Sequence, residues 1–219
     1  MKVIGIVSRP NISKLGKANT MVLEDIRRVV IKLGCVPISI LPTQDISYYD
    51  EELKNVPSLT DKEKDMLVQQ INLCDGIIMP GGEVSYYYDK YICEYCNKID
   101  KPLLGICMGM QIMCNYDNDN KNIKIEDGID RNEPFNHNIN IDKNSILYNI
   151  LNEENIIVNS YHSYKVSSSG SYRVSARNND VIEAVEKDGK FNIGVQWHPE
   201  KDLEDINNQK LFKKFIDSL

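Results

Sequence analysis

Short apolar runs alternate with amphipathic helical stretches over the first half of the chain, and this constrains the fold more than any other feature. Residues 2–8 form an apolar run ahead of Pro10. A helical period follows over 20–33, with Val22, Ile26, Val29, Val30 and Leu33 on one face and Gly34 just past the end. A second strand fits 36–41 and closes at Pro42, and Ser58, Leu59, Thr60 and Asp61 offer caps for a helix reaching Leu73. Gly76-Ile77-Ile78-Met79 reads as a third strand stopped by Pro80-Gly81-Gly82. A helix over 86–99 and a fourth strand over 102–106 complete the pattern. This β-α-β-α order predicts an α/β fold, a mostly parallel central sheet with helices on both faces. Ligands on such sheets sit at the carboxyl ends of the strands.

The rest of the chain is less regular. Residues 115–131 are rich in Asn, Asp and Lys and read as a surface excursion, a loose hairpin. Strands are expected at 156–160 and 191–197, and Asp188-Gly189 marks a hairpin turn between 181–186 and 191–196. Leu211, Phe212, Phe215, Ile216 and Leu219 give a final amphipathic helix. No internal repeat is present, and 1–219 reads as a single domain. The 42% of hydrophobic residues suffices for a sizeable core. A net charge of -6 argues against nucleic acid and against an anionic membrane surface as partners. No apolar run is long enough to span a bilayer, and the opening stretch is too short for a signal peptide. Six cysteines without a secretion signal point to a reduced, cytoplasmic protein.

The chemistry centres on Leu103-Leu104-Gly105-Ile106-Cys107-Met108-Gly109-Met110-Gln111. An apolar strand runs straight into a cysteine flanked by glycines, and a helical pattern resumes at once. Small residues on both sides of a nucleophile permit a sharp strand-to-helix turn that lifts its side chain to the top of the sheet. A helix N-terminus favours thiolates over thiols. Gln111 lies one helical turn beyond Cys107 on the same face. A buried structural cysteine is the competing interpretation. A thiol nucleophile needs a base, and the base an orienting group. Among the three histidines, His198 follows an apolar strand in Val195-Gln196-Trp197-His198-Pro199-Glu200. Glu200 is placed to accept from its imidazole, which completes a Cys-His-Glu relay.

On these motifs the chain resembles the class I glutamine amidotransferases. Within that superfamily it is most similar to the γ-glutamyl-γ-aminobutyrate hydrolase family. The opening Ile4-Gly5-Ile6-Val7-Ser8-Arg9-Pro10, the segment Cys35-Val36-Pro37-Ile38-Ser39-Ile40-Leu41-Pro42 and Val158-Asn159-Ser160-Tyr161-His162 favour the hydrolase branch. The resemblance covers nearly the whole chain and is weakest over 115–156. It implies a three-layer flavodoxin-like fold, and an oxyanion hole built from the N–H of Gly81 or Gly82 and that of Met108. Such donors are worth about 3 kcal/mol each. It also implies a glutamyl cradle made by Gln111 and the main chain of Ser160, Tyr161, His162, Ser163 and Tyr164. His162 reads as a hydrogen-bonded supporting residue rather than a catalytic one.

The implied activity is hydrolysis of a small γ-glutamyl-amine through a γ-glutamyl thioester, in amine or polyamine catabolism, with no metal or organic cofactor. The alternative is a glutaminase subunit that passes ammonia from glutamine to a partner synthase. A non-catalytic regulatory module on the same scaffold is a third reading. A homodimer or a synthase partner is compatible with these readings. Three departures lie where the leaving group is specified. Met108 stands where the hydrolase branch commonly has Arg, Ser163 and Tyr164 follow the Ser-x-His element, and the stretch after Gln111 lacks a Gly-Gly-Leu turn.

Other motifs read as structural. Cys93-Glu94-Tyr95-Cys96 has no second ligand pair and fits a core-facing stripe with Tyr88, Ile92 and Ile99. Among Tyr86, Tyr87 and Tyr88, one could border the substrate mouth while packing explains the others. His137 sits in a polar stretch and reads as solvated, and the acidic residues over 117–127 lack calcium-loop spacing.

Overall fold

A computed structural model of the chain describes residues 1–44, 57–118, 122–125 and 135–219. The expected apolar runs form strands β1 (Val3–Val7), β4 (Val36–Ile40), β5 (Gly76–Met79) and β6 (Leu103–Ile106). With β13 (Asn192–Val195) they pair in parallel in the order β4-β1-β5-β6-β13. Four antiparallel strands extend this sheet beyond β13: β12 (Val181–Glu186), β11 (Arg173–Asn178), β8 (Phe135–Ile141) and β9 (Asn155–Ser160). The β12–β13 hairpin turns at Gly189, where φ is +121°.

Both faces of the sheet are covered, which explains why the parallel strands read as continuous apolar runs. Leu104 and Ile106 face one core with Ile26, Val29 and Val30 of α1 (Glu24–Lys32) and Leu211, Phe212 and Phe215 of α6 (Ile206–Asp217). Leu147 and Leu151 of α5 (Ile146–Leu151) join the same side. Leu103, Ile77 and Met79 face the opposite core, with Leu67 and Ile71 of α2 (Asp61–Asn72) and Ile92 of α3 (Tyr87–Lys98). Helix α2 begins where its caps predict. Thr60 Oγ1 accepts from the Glu63 N–H, and the Glu63 carboxylate accepts from the Thr60 N–H at 2.7 Å. The three-layer, flavodoxin-like α/β architecture is therefore the one expected.

Several local expectations are corrected. The helix expected over 20–33 starts only at Glu24, because Ala18–Met21 forms β3 and pairs with β2 (Arg9–Ile12) in a separate hairpin. Ile99 is 39% exposed at the end of α3, so the core stripe is Tyr88, Ile92, Cys93 and Cys96. Tyr87 is also exposed, so packing does not explain it. The polar stretch contributes β7 (Asn122–Lys124), paired antiparallel with β10 (Tyr164–Val166). Residues 119–121 and 126–131 of that stretch lie outside the described residues. Among the described residues no helix is long and apolar enough to cross a membrane.

Candidate active site

The parallel strands deliver the predicted groups to one end of the sheet. β5 runs out into Pro80, Gly81 and Gly82, β6 into Cys107, and β13 into Gln196, Trp197 and His198. Strand order reverses between β1 and β5, which leaves a crevice at their carboxyl ends.

Cys107 is the N-cap of α4 (Met108–Asn115), with φ +52° and ψ −109°. A non-glycine residue pays for such a backbone only where the surroundings enforce it, and nucleophile turns are one such place. Gly109 is what allows the turn, since a Cβ there would lie 2.0 Å from the Met79 carbonyl oxygen. All of α4 is buried. The Cys107 side chain, on a residue 9% exposed, lies beside the His198 imidazole: both come within 4 Å of where a Gly81 Cβ would stand. On its other side, His198 Nδ1 lies 2.6 Å from Glu200 Oε1.

Burial alone would push the His198 imidazolium down. The Glu200 carboxylate and the neighbouring Cys107 outweigh it and hold the ring's pKa up at about 10. The ring is also fixed from outside. Asn159 of β9 clamps its backbone, accepting from the His198 N–H at 2.8 Å and donating to its carbonyl at 2.9 Å. The Tyr161 ring meets the imidazole edge-on at 5.2 Å. Trp197, 1% exposed, donates to Asn208 of α6 and anchors the end of β13.

Gly81 and Gly82 differ in what they face. A Cβ on Gly81 would lie 3.0 Å from His198 Cε1 and 3.6 Å from Cys107 Cβ, whereas one on Gly82 would meet the Met108 and Arg9 side chains. Among the described residues, neither glycine N–H has a hydrogen-bond partner. Gln111 and the 160–164 segment are tied to one another by hydrogen bonds. Gln111 is buried and fully engaged: its amide donates to the Tyr164 carbonyl and Gln196 Oε1 and accepts from Asn122. Ser160 is buried with its hydroxyl unpartnered among the described residues, and the Ser163 carbonyl accepts from the Ile125 N–H. His162 Nδ1 lies 3.1 Å from the Tyr164 carbonyl.

His137 is not solvated: its Nε2 meets Glu183 Oε1 at 3.0 Å, where β12 folds the carboxylate inward. Sequence reasoning missed Asn159 and Glu183 as contributors, and it quoted Arg9 only as part of a motif. Tyr86 borders a cleft of about 500 Å³ that opens onto His198, Glu200, Gly81 and Gly82. The far wall of this cleft is the β2–β3 hairpin and the start of α1. Burial pushes the thiols of Cys96 and Cys114 up to about 12 and that of Cys74 to about 11, which disfavours their thiolates.

A thiol, an imidazole and a carboxylate brought together beside free backbone donors are groups with which acyl transfer can be carried out. The family model described as Peptidase C26 matches residues 2–200. The chain belongs to the peptidase C26 family. It is thereby a class I glutamine amidotransferase-like protein of the γ-glutamyl hydrolase type, as its motifs suggested, and an amide hydrolase. It is similar to a Gamma-glutamyl-CDP-amidate hydrolase of Campylobacter jejuni, 27% identical over 160 residues that cover 66% of this chain and 71% of that one. It is also similar to a glutamine-hydrolyzing GMP synthase of Dictyostelium discoideum, 31% identical over 157 residues. That match covers 64% of this chain and 20% of the synthase, so the chain spans about a fifth of that protein's length. Among solved structures, the glutaminase domain of Trypanosoma brucei CTPS with bound acivicin shares the C26 chain's fold. Its TM-score is 0.67 at 16% identity, over 100% of this chain and 93% of that one.

Proposed function

We propose that the chain hydrolyses the γ-glutamyl amide bond of a small γ-glutamyl-amine, with Cys107 as nucleophile, His198 as proton carrier and Glu200 as its orienting group. The observation that carries this reading is the 2.6 Å contact of His198 Nδ1 with Glu200 Oε1, on an imidazole that stands with Cys107 against Gly81. With the imidazole held up at about 10, the proton rests on His198 at neutral pH. The Cys107 sulfur attacks the γ-carbonyl carbon, and the carbonyl electrons move to oxygen, held by the N–H groups of Gly81 or Gly82 and Met108. Collapse breaks the C–N bond as His198 gives its proton to the departing amine, leaving a γ-glutamyl thioester. Water then attacks the thioester carbonyl while His198 takes its proton. The second collapse expels the sulfur and frees glutamate. Ser160, Tyr161, His162, Ser163 and Tyr164, with Gln111 behind them, form the wall that receives the glutamyl group.

The cleft of about 500 Å³ supports a substituted amine over ammonia. It opens beside His198 and is walled by Ile12, Met21, Leu23 and Val84, space and apolar surface for which ammonia has no use. A second reading, a glutaminase subunit feeding a partner synthase, is favoured by the similarity to GMP synthase and by Met108 after the nucleophile. Glutamate release by the purified protein separates the two. Turnover of γ-glutamyl-alkylamines well above that of glutamine is expected. Activity on glutamine alone, appearing only with a synthase added, would establish the second reading instead.

A further inference from the structure

Arg9 and Asp89 form an ion pair at 4% and 0% side-chain exposure, bringing together β2 and α3 from 80 residues apart. Replacing a buried pair of this kind with apolar side chains is often neutral or stabilising, so stability alone does not account for it. The guanidinium is spent on the loop after β5: Nη2 donates to the Pro80 carbonyl at 2.7 Å and Nε to the Gly81 carbonyl at 3.3 Å. No peptide bond described is cis. In a planar trans peptide the N–H points opposite to the C=O. With two consecutive carbonyls turned toward Arg9, the N–H groups of Gly81 and Gly82 are turned away from it. Those are the two donors left without partners, and the Gly81 Cα faces His198 and Cys107. Asp89 fixes the other end of the loop, its Oδ2 accepting from the Tyr86 N–H at 2.9 Å. Successive N–H groups aimed to one side make an anion-binding concavity.

We propose that Arg9, held by Asp89, is the positioning residue that presents the Gly81 and Gly82 N–H groups to the oxyanion of the tetrahedral intermediate. The inference rests on acyl transfer by Cys107 as set out above. Only a fork can serve two carbonyls and a carboxylate at once, which an ammonium cannot do with the same geometry.

The test compares amide turnover with alkylation of Cys107 by iodoacetamide, a displacement that develops no oxyanion. Arg9→Lys keeps the ion pair and removes the fork. It is expected to lower kcat on a γ-glutamyl anilide by roughly 10- to 100-fold, with KM and the alkylation rate within about threefold of wild type. The double variant Arg9→Met/Asp89→Asn leaves no buried charge and keeps an acceptor for the Tyr86 N–H. It is expected to lose at least as much kcat, again with alkylation spared. The proposal is overturned if kcat is unchanged, if kcat and alkylation fall together in folded protein, or if neither variant folds. A wild-type protein that alkylates but releases no glutamate would instead overturn the acyl-transfer reading beneath it.

Discussion

On one side of Cys107, the Arg9 fork and Asp89 hold the Pro80-Gly81-Gly82 loop with every charged atom committed. On the other, Glu183 meets the 160–164 segment through His162 in a looser arrangement. Its Oε1 lies 3.0 Å from His137 Nε2 and 3.8 Å from His162 Nε2, and among the described residues its buried Oε2 has no partner. His162 in turn meets the Tyr164 carbonyl that Gln111 also binds. The first wall is made of backbone donors that must be aimed within tenths of an ångström before the chemistry begins. On the proposed mechanism the second would border the part of the substrate that does not react, where adjustment on binding is tolerable.

That contrast is open to direct attack, beginning at the rigid wall. Gly81→Ala puts a methyl group 3.0 Å from His198 Cε1 and 3.6 Å from Cys107 Cβ. Steady-state kinetics should show kcat down by about 10²-fold or more with KM little altered. A change confined to KM would mean that the loop serves binding and not chemistry.

Between the walls, Glu200→Gln removes one of the two contacts that raise His198. A raised imidazole keeps its proton until the pH passes its own value, so wild-type kcat/KM should hold on the alkaline side and fall as the pH approaches about 10. In Glu200→Gln the alkaline limb should move to lower pH, with activity at neutral pH reduced about 10-fold. The same shift contributes stability that is fully present below the ordinary value of 6.5 and is lost as the pH rises through about 10. An alkaline limb that does not move in the variant would mean that another group controls it.

The mildest effect is expected at the looser wall. Glu183→Gln keeps an acceptor for His137 and should raise KM about threefold to 10-fold while leaving kcat within about twofold. A kcat loss as large as that of Gly81→Ala would erase the distinction between the two sides.

The rigid wall was also the more legible in sequence, apart from its brace. β5, β6 and their exits into Gly81 and Cys107 are buried on both faces, so they appear as unbroken apolar runs ended by glycine. The Arg9–Asp89 pair joins residues 80 apart in the chain, and no local periodicity reports a contact of that range. β8 was missed although Phe135, His137, Ile139 and Ile141 alternate with Asn residues. Asparagine is a poor strand former, and its abundance left the stretch without a strand signal. The same bias misplaced His137. The β2–β3 hairpin escaped because Ile12 and Met21 are largely exposed, which leaves no buried face to impose a pattern. Thr20 and Met21 were thus absorbed into the helix that follows.

The central claim is covalent catalysis at Cys107, and its most direct test is mass spectrometry of the protein quenched during turnover of a γ-glutamyl-amine. One glutamyl group should be found on the peptide containing Cys107, labile to hydroxylamine as a thioester is, and Cys107→Ala should show neither adduct nor turnover. Glutamate release by Cys107→Ala at the wild-type rate, or an adduct on any other residue, would contradict the account.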